Sequence, residues 1–371
     1  MTTIFVKDDL RAQVEAATGG AVTVLYTDAG HPSYMNVIPR FNLQDIDASL
    51  GTGTHPAFIV NGVEKSEIFI GQYQGIVKDN NLLSIPGVIP TVSTNFDTFR
   101  QRAAANGVGW HIMTNAEWMA VALWCWKNGF QPRGNNNWGR DTSLRYETGR
   151  RGDQRAPGET TGDGKTFTGS GPASWRHNGQ ATGIADLNGN VWEWQAGYRL
   201  MDGEIQVIPD NDAADNTKDL SRTSVLWKAI RASDGALVAP GTAGTLKYDS
   251  VTAGTNTGSV RIGDIRLSDV MTNRNGTAGD DSHLAYTNGA FEALPVKDGL
   301  NVPAIAKVLG IAPVGAGLEG DNIWVRNYGE RLCLAGGSFN NGAGAGLFAR
   351  DLTSARTHVS GPVGARPAFV L

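Results

Sequence analysis

The chain offers few side chains at the spacings that catalysis or metal binding requires. Its two cysteines, Cys125 and Cys333, stand far apart and show no zinc-ligand spacing, and its six histidines are scattered. Residues 315–320 match G-x-G-x-x-G, but no helix pattern follows and no strand pattern clearly precedes them, so a dinucleotide site is rejected. We therefore expect no catalytic residues. Two buried free thiols are the expected state of the cysteines, with a single disulfide as the alternative.

The side chains best suited to recognition lie in the tail, residues 336–371. The tail contains no Lys, Glu, Gln, Met or Trp, whereas all ten Trp of the chain lie between Trp110 and Trp324. One explanation is a Gly-rich C-terminal segment that lacks long side chains by chance. The other explanation is genetic. Asn codons that end in a pyrimidine, if randomised at their two adenines, encode products that exclude those same residue types.

Hydrophobic alternation and turn residues predict the elements that carry the tail. Leu332 and Leu334 alternate with other residues, as in a half-buried strand. Residues 336–337 are both Gly and allow a tight turn or a bulge, and residues 340–346 are rich in types that tolerate positive φ. Two further strands are expected at 347–352 and 366–371, joined by a polar loop at 353–362.

Upstream, three helices are predicted. Residues 8–17 and 95–105 each place apolar side chains on one face and are followed by Gly. The strongest pattern begins at Thr114, which stands at capping-box spacing from Glu117, and ends before Gly129. This third helix carries three Trp and is expected to lie in the core.

Several motifs resemble one known family. Ala-Gly-Gly-Ser-Phe at 335–339, Ala-Gly-Leu-Phe at 345–348 and Val-Gly-Ala-Arg-Pro-Ala at 363–368 resemble the end of a formylglycine-generating-enzyme-like C-type lectin domain. Gly-Trp-His-Ile-Met-Thr-Asn-Ala-Glu-Trp at 109–118 and Asp-Leu-Asn-Gly-Asn-Val-Trp-Glu-Trp at 186–194 extend the resemblance to most of the chain from about residue 58. The tail is more similar to a subset of that family, the variable proteins of diversity-generating retroelements, of the phage major-tropism-determinant type. The 186–194 motif is specific for the fold but not for the function.

The resemblance implies an α+β, C-type lectin-like fold of the formylglycine-generating-enzyme subtype, irregular, with two main helices and small antiparallel sheets. One such sheet is expected to carry both 332–334 and 366–371. Residues 1–55 are interpreted as an N-terminal segment for assembly or for packing on the main domain. Residues 56–371 form the lectin-like domain, with a long insertion at about 200–320 and the variable ligand-binding region at 336–371.

The resemblance also implies a function, which is binding of a ligand or receptor by a diversified surface on a fixed scaffold. Alignment on the Gly-Gly and Val-Gly-Ala-Arg anchors, with one gap between Phe339 and Gly344, gives the expected variable positions. All are reachable from a randomised Asn codon, and they are expected to share one exposed face with Phe339 as the energetic anchor. They are Phe339, Asn341, Gly344, Asp351, Thr353, Ser354, His358, Ser360, Pro362 and Val363.

Enzymes of the resembled family oxidise with a pair of Cys between the Gly-Gly-Ser-Trp and Gly-Phe-Arg motifs. The corresponding interval here, residues 340–363, contains no Cys, and Cys333 precedes it. A divergent oxidase is therefore the least favoured alternative, and we expect no enzyme activity and no copper site. A second alternative, from another class, is a structural virion or surface-assembly protein whose C-terminus is merely rich in Gly.

The same family binds a structural calcium, and the matching positions here are Asn188, Gly189, Val191 and Glu193. The favoured alternative is that Glu193 and Asn190 only form hydrogen bonds within the turn, so no cofactor is expected and calcium remains the weaker alternative. In either case Glu193 is expected to be part of the scaffold, and its loss to weaken the fold by about 1–3 kcal/mol.

The composition of the whole chain limits its partners. The 371 residues carry a formal net charge of −4 and a pI of about 5.9, so bulk attraction to nucleic acid is not indicated. No apolar run approaches the length of a membrane span, and residues 1–17 show no secretory signal. By resemblance, the expected partner is a protein or cell-surface receptor, the expected location is a virion or cell surface, and homo-oligomers are possible.

Overall fold

A computed structural model describes residues 8–254 and 258–371, so the first seven residues of the predicted N-terminal segment lie outside it. The helices are α1 Asp8–Thr18, α2 Leu43–Ile46, α3 Phe96–Ala104, α4 Asn115–Lys127 and α5 Ala304–Val308. Short 3-10 helices span Ala48–Leu50, Pro56–Phe58, Ala173–Trp175, Asp212–Ala214 and Gly342–Gly344. The strands are β1 Val22–Tyr26, β2 Pro32–Pro39, β3 Ile59–Val60, β4 Val63–Glu64, β5 Glu67–Gly71, β6 Gly75–Lys78, β7 Asn81–Ser84, β8 Trp110–Ile112, β9 Trp192–Met201, β10 Glu204–Val207, β11 Lys228–Ile230, β12 Leu237–Val238, β13 Lys247–Ser250, β14 Ile265–Ser268, β15 Thr287–Ala290, β16 Asn322–Val325, β17 Glu330–Gly336, β18 Gly346–Ser354, β19 Val363–Gly364 and β20 Pro367–Phe369.

Helix α4 confirms the strongest helix prediction. The Thr114 hydroxyl accepts a hydrogen bond from the Glu117 N–H at 3.1 Å, and the Glu117 carboxylate accepts one from the Thr114 N–H at 2.9 Å. Most side chains of the helix are buried around its whole circumference, as expected for a core helix. The indole N–H of Trp118 donates to the Leu347 carbonyl at 2.7 Å, which ties the helix to strand β18 of the tail.

Two sheets organise the described residues into a mixed α+β structure with few helices. The smaller sheet has five strands in the order β1-β2-β5-β20-β8. The larger has eleven strands, with the path β12-β11-β10-β9-β17-β18-β16-β15 and with β13, β14 and β19 attached to it. Strands β1 and β2 of the predicted N-terminal segment therefore pair within the same sheet as the C-terminal strand β20.

Two parts of the fold prediction need correction. The five-stranded sheet and the two-stranded sheets β3-β4 and β6-β7 are small, as expected, but the larger sheet is not, and it is not wholly antiparallel, since β16 pairs parallel to β18 and β19 pairs parallel to β9. Its size reflects the predicted insertion, which contributes strands β10 to β15 instead of irregular chain. Within the described part of residues 56–371, the two helices of nine or more residues are α3, with 9, and α4, with 13, as expected, and α1, with 11, matches the helix predicted at 8–17.

The second correction concerns the two ends of the tail, which were expected in one sheet. Strand β17 lies in the larger sheet and β20 in the smaller one. The tail runs from β19, paired with β9, to β20, paired with β5 and β8, and only Ala365 and Arg366 separate these strands. The chain thus crosses between the sheets at Arg366.

Arg366 is fully buried at this crossing, and its charge is balanced by Glu193 of β9. The guanidinium donates to both carboxylate oxygens of Glu193, at 2.9 and 2.7 Å. It also donates to the carbonyls of Gly71 and Ala185, both at 2.9 Å. One side chain therefore joins the smaller sheet, the larger sheet and the turn before β9.

Both thiols are buried and free, as predicted. The Cys125 sulfur donates to the His177 carbonyl at 3.2 Å, and Cys333 lies inside β17. Burial raises the pKa of the Cys333 thiol to about 12 and also raises that of Cys125, so neither is a ready thiolate. Within residues 8–254 and 258–371, no helix combines the length and the apolar character that a membrane span needs.

Removing Glu193 should destabilise the fold more than the sequence alone suggested. Glu193→Ala leaves the Arg366 guanidinium buried without its counter-charge, and breaking a buried pair in this way costs about 3–5 kcal/mol. Urea unfolding of the variant measures the loss. Asp298→Ala, at an exposed acidic residue, is the matched control and should stay within about 0.5 kcal/mol of the parent. A loss no larger for Glu193→Ala than for Asp298→Ala would contradict this role.

Candidate functional site

The turn before β9 is built from residue types that tolerate left-handed backbone. Asp186, Gly189 and Asn190 have φ of 61°, 79° and 63°. At Gly189 a side chain would also collide with the backbone of Asn135. The buried side-chain oxygen of Asn190 accepts from the Thr166 N–H at 2.8 Å, and the backbone carbonyl of Asn190 accepts from the Phe339 N–H at 3.1 Å. The turn is therefore a rigid support for the start of the tail.

Three of the four positions of the calcium alternative, Gly189, Val191 and Glu193, place an oxygen near the side-chain amide of Gln74. Its Nε2 lies 3.0 Å from the Glu193 carboxylate, and 3.3 and 3.0 Å from the carbonyls of Gly189 and Val191. The Asp186 carbonyl lies at 3.0 Å from the same nitrogen. Gln74 Oε1 accepts from the Asn190 amide at 2.7 Å, which fixes the orientation of the Gln74 amide.

The Gln74 amide nitrogen therefore lies at the point on which those oxygens converge. Asn188 is also engaged elsewhere, since its Oδ1 accepts from Asn136 and its amide donates to the Pro132 carbonyl. In the part of the chain that the structure describes, no three His, Cys, Asp or Glu side chains gather as a metal site. We propose that Gln74, together with Arg366, holds this turn in the way that a structural cation would.

The predicted variable positions are less exposed than expected. Their side chains divide into four buried and six half-buried, and none is fully exposed. The buried ones are Phe339 at 9%, Thr353 at 8%, Ser354 at 4% and Val363 at 3% exposure. The half-buried ones are Asn341, Gly344, Asp351, His358, Ser360 and Pro362. The expectation of one exposed face is corrected to a partly covered one, because side chains from outside the tail, such as Trp138 and Trp324, pack on these positions.

Phe339 packs against side chains from outside the tail. Its ring meets the Trp138 ring edge-to-face, with centroids 4.9 Å apart, and the Lys165 ammonium lies 6.0 Å from the Phe339 centroid. The backbone N–H of Trp138 donates to the Phe339 carbonyl at 2.6 Å. Lys165 also donates to the Gly361 carbonyl at 3.3 Å and so links Phe339 to the segment that carries Ser360 and Pro362.

A second group gathers around Trp324 of β16. Asp351 is its register partner in β18, and a side chain at Gly344 would meet the Trp324 ring at 3.2 Å. The Trp192 ring lies edge-to-face on Trp324 at 5.6 Å, and Trp192 is the strand partner of Val363. The Pro362 carbonyl accepts from the backbone N–H of Trp192 at 2.8 Å. The group around Trp324 therefore continues into the group around Phe339.

A third group surrounds His358, whose ring lies 4.7 Å from that of His283. The nearby Thr353 carbonyl accepts from two buried arginines, Arg326 at 2.9 Å and Arg331 at 3.4 Å. Although Asp351 as a residue is half-buried, desolvation of its carboxyl raises its pKa, against the opposing effects of Thr353 and the Arg326 charge.

Eight of the ten predicted positions thus belong to one connected surface. The other two are Asn341, whose Oδ1 accepts from Ser338 and closes the loop, and Ser354, which is buried opposite Leu332. Sequence reasoning missed the fixed residues that complete this surface. These are Trp138, Lys165, Trp192, Trp324 and His283, and only the position of Trp192 in the 186–194 motif gave any signal.

The sequence also predicts six residues that hold the tail backbone between the variable positions, and all six are buried. Gly336 ends β17 at a register shift, with φ of 92°, and Gly337 follows with φ of 86°. A side chain at Gly337 would collide with Ala345, so only Gly fits there. The remaining four expected backbone residues are Leu347, Leu352, Gly364 and Arg366.

Comparison with known proteins does not place the chain in a family. The chain matches no family model, and no curated protein shows significant similarity to it. The geometry of the tail and of the residues around it is therefore the basis of the function proposed below.

Gln74 provides a direct test of the calcium alternative. We expect the melting temperature of the parent to be the same in calcium and in a chelator, because the Gln74 amide already binds the oxygens. Gln74→Ala should lose about 1–3 kcal/mol of unfolding free energy, since it leaves buried acceptors unpaired. A chelator-induced fall in the melting temperature of the parent would show that calcium is bound after all.

The histidine pair predicts an acid-sensitive component of stability. Burial, assisted by Arg326, His358 and Arg331 and opposed by Asp281, lowers the pKa of His283 from 6.5 to about 4. The unfolded state therefore binds this proton first, and the free energy of unfolding should fall as the pH drops from 6.5 towards 4. The slope for one group is at most about 1.4 kcal/mol per pH unit, and less for a half-buried ring.

Urea unfolding across this pH range, on the parent and on His283→Asn, measures that component. The variant should lose less stability on acidification than the parent does. His31→Asn is the matched control, because His31 is a half-buried histidine in a different part of the fold. Equal acid sensitivity in the parent and His283→Asn would exclude His283 as the source.

Proposed function

We propose that this protein binds a ligand or receptor through a surface that the tail diversifies on a fixed scaffold. The observation that carries the proposal is the contrast between the backbone of the tail and the side chains upon it. The backbone is held by buried groups such as Arg366 and the two arginines on the Thr353 carbonyl. The six half-buried predicted positions lie where side chains can change without removing those bonds.

The α+β architecture and the position of the motifs support a C-type lectin-like fold of the formylglycine-generating-enzyme subtype as part of this proposal. The proposal includes no catalytic role, since both thiols are buried with raised pKa values. The partner would be a protein or a cell-surface receptor, and the protein would act on a virion or cell surface. Oligomers are compatible with this role.

Sequencing of the gene in a growing population tests the diversification directly. A reverse transcriptase gene with an adenine-rich template repeat of the 3′ end should lie nearby. Substitutions should concentrate at the adenine-derived bases of the codons for the ten predicted positions. The codons for Leu347 and Leu352 are the internal control, because these residues are in the core. Equal substitution rates in both sets of codons would favour a structural protein with a Gly-rich end.

The division of the tail into half-buried predicted positions and core residues also predicts a difference in stability. Joint replacement of the six half-buried positions by other residues of similar size should shift the melting temperature by only a few degrees, because partly exposed changes usually cost little. Leu352→Ala should instead cost about 2–5 kcal/mol, as large-to-small changes in a core do. Thermal unfolding of both variants makes the comparison. Unfolding of the six-position variant at room temperature would contradict the proposal.

A further inference from the structure

Trp and Lys, two residue types that the tail lacks, lie beside it in the fold. Trp and Lys cannot arise from a randomised Asn codon, and the tail contains neither. The residues that contact the predicted variable positions from outside the tail include Trp138, Lys165, Trp192 and Trp324. Large aromatic side chains are the commonest anchors of binding surfaces. The scaffold thus places them where the diversified positions lack them.

These fixed side chains and the tail are joined by a continuous series of contacts. Trp324 stacks edge-to-face on Trp192 at 5.6 Å, and Trp138 meets Phe339 at 4.9 Å. Lys165 and the Pro362 carbonyl connect the two pairs, as described above. Trp138 and Trp324 are half-buried, so each presents part of its ring to solvent. We call Trp138, Trp192 and Trp324 the Trp shelf.

Trp138 is held in a strained backbone conformation, which is a separate indication of function. Its φ is 54°, in the left-handed region that a bulky side chain rarely adopts. Such strain amounts to about 1–3 kcal/mol and is concentrated at binding and active sites. Two backbone hydrogen bonds retain it, from the Trp138 N–H to Phe339 at 2.6 Å and from the Gly158 N–H to the Trp138 carbonyl at 2.7 Å. The fold therefore holds this indole against Phe339 despite the strain.

The Trp shelf also has unused hydrogen-bond donors. Among the described residues, none accepts from the indole N–H groups of the shelf, whereas those of Trp118 and Trp126 donate to carbonyls. Trp192 is buried at 6% exposure, whereas Trp138 and Trp324 are half-buried. The indole N–H groups of Trp138 and Trp324 can therefore donate to acceptor oxygens of a ligand.

The charges of the two ionisable side chains nearest the shelf are weakened within the protein. Lys165 pairs with Asp163 at 2.7 Å, and desolvation raises the pKa of the Asp351 carboxyl, which disfavours its charged form. A surface of apolar rings and N–H donors beside a lysine that is already paired is complementary to an uncharged polypeptide segment. Such a segment offers apolar side chains for the rings and main-chain carbonyls for the N–H groups.

We propose that the Trp shelf is a constant part of the ligand-binding site, which binds an uncharged loop of a protein ligand whatever residues the tail carries. The variable positions then select among such loops, while the shelf contributes affinity common to all of them. This inference rests on the proposed function, because it assigns fixed residues and a ligand class to the same site.

Selection from a library tests the inference on the full chain. The ten predicted positions would be encoded by randomised Asn-type codons, and the displayed proteins selected against two probes, lysozyme as a folded protein and dextran as a polysaccharide. Dissociation constants of the selected proteins would then be measured after single changes in the shelf. Trp324→Ala should weaken lysozyme binding about tenfold or more in tails of unrelated sequence.

Matched variants separate binding from folding. Trp124→Ala, at a half-buried Trp of α4 that packs on His177, should change the dissociation constant by less than about twofold. Trp324→Phe keeps an aromatic ring beside Trp192 but removes the N–H group, and should give an intermediate loss. Trp138→Gly relieves the backbone strain, so it should weaken binding without an equal loss of stability.

Each outcome of the selection has a distinct meaning. Binders that tolerate both Trp324→Ala and Trp138→Gly overturn the role of the shelf and leave the proposed function intact. Binders to dextran alone overturn the ligand class. Failure to obtain binders to either probe, from a library whose members fold, counts against the proposed function itself. Lysozyme binders that depend on the shelf in several unrelated tails support the inference.

Discussion

The structure depends on one buried charge pair, Glu193 with Arg366, at the point where the tail crosses between two sheets. An arginine in this position has to lose its hydration, so its charge must be met by a carboxylate and its remaining donors by carbonyls. Glu193 meets that need and also receives the Gln74 amide. The crossing thereby fixes the turn before β9, and that turn supports Phe339 at the start of the predicted variable surface.

Other arginines fix the tail in a different way, mainly through carbonyl oxygens. Arg331 binds the carbonyls of Tyr328 and residues 280–282, and with Arg326 it binds that of Thr353. Arg350 lies fully buried in β18, donates to the carbonyls of Leu347 and Ala349, and leaves its Nε without a partner. A planar guanidinium with several donors can bind more than one carbonyl at once. The tail carbonyls that these arginines bind lie in strand β18, so the arginines add fixed contacts along that strand.

Local signals in the sequence were sufficient for much of the fold, and non-local ones were not. The capping box of α4, the extent of α3 and the Gly pair at the end of β17 each depend on neighbouring residues, and each was predicted within a residue or two. Sheet membership depends on pairing between distant segments, so the separation of β17 from β20 and the strands of the insertion were not foreseen. The candidate site shows the same limit. Its tail positions followed from motif alignment, but their partial burial and the Trp shelf are properties of packing between segments far apart in sequence.

Under the proposed function, partial burial would couple variation in the tail to the fixed residues around it. At Gly344 a side chain would meet the Trp324 ring at 3.2 Å and the Asn322 amide at 3.3 Å, so a larger residue has to displace one of them. Trp324 in turn contacts Trp192, the strand partner of Val363, so a shift at one variable position reaches another through a fixed ring. Such positions are not independent, and the effects of their substitutions should not add. A diversified surface of this kind samples combinations of side chains that share one aromatic support, and its range is set by how far that support can move.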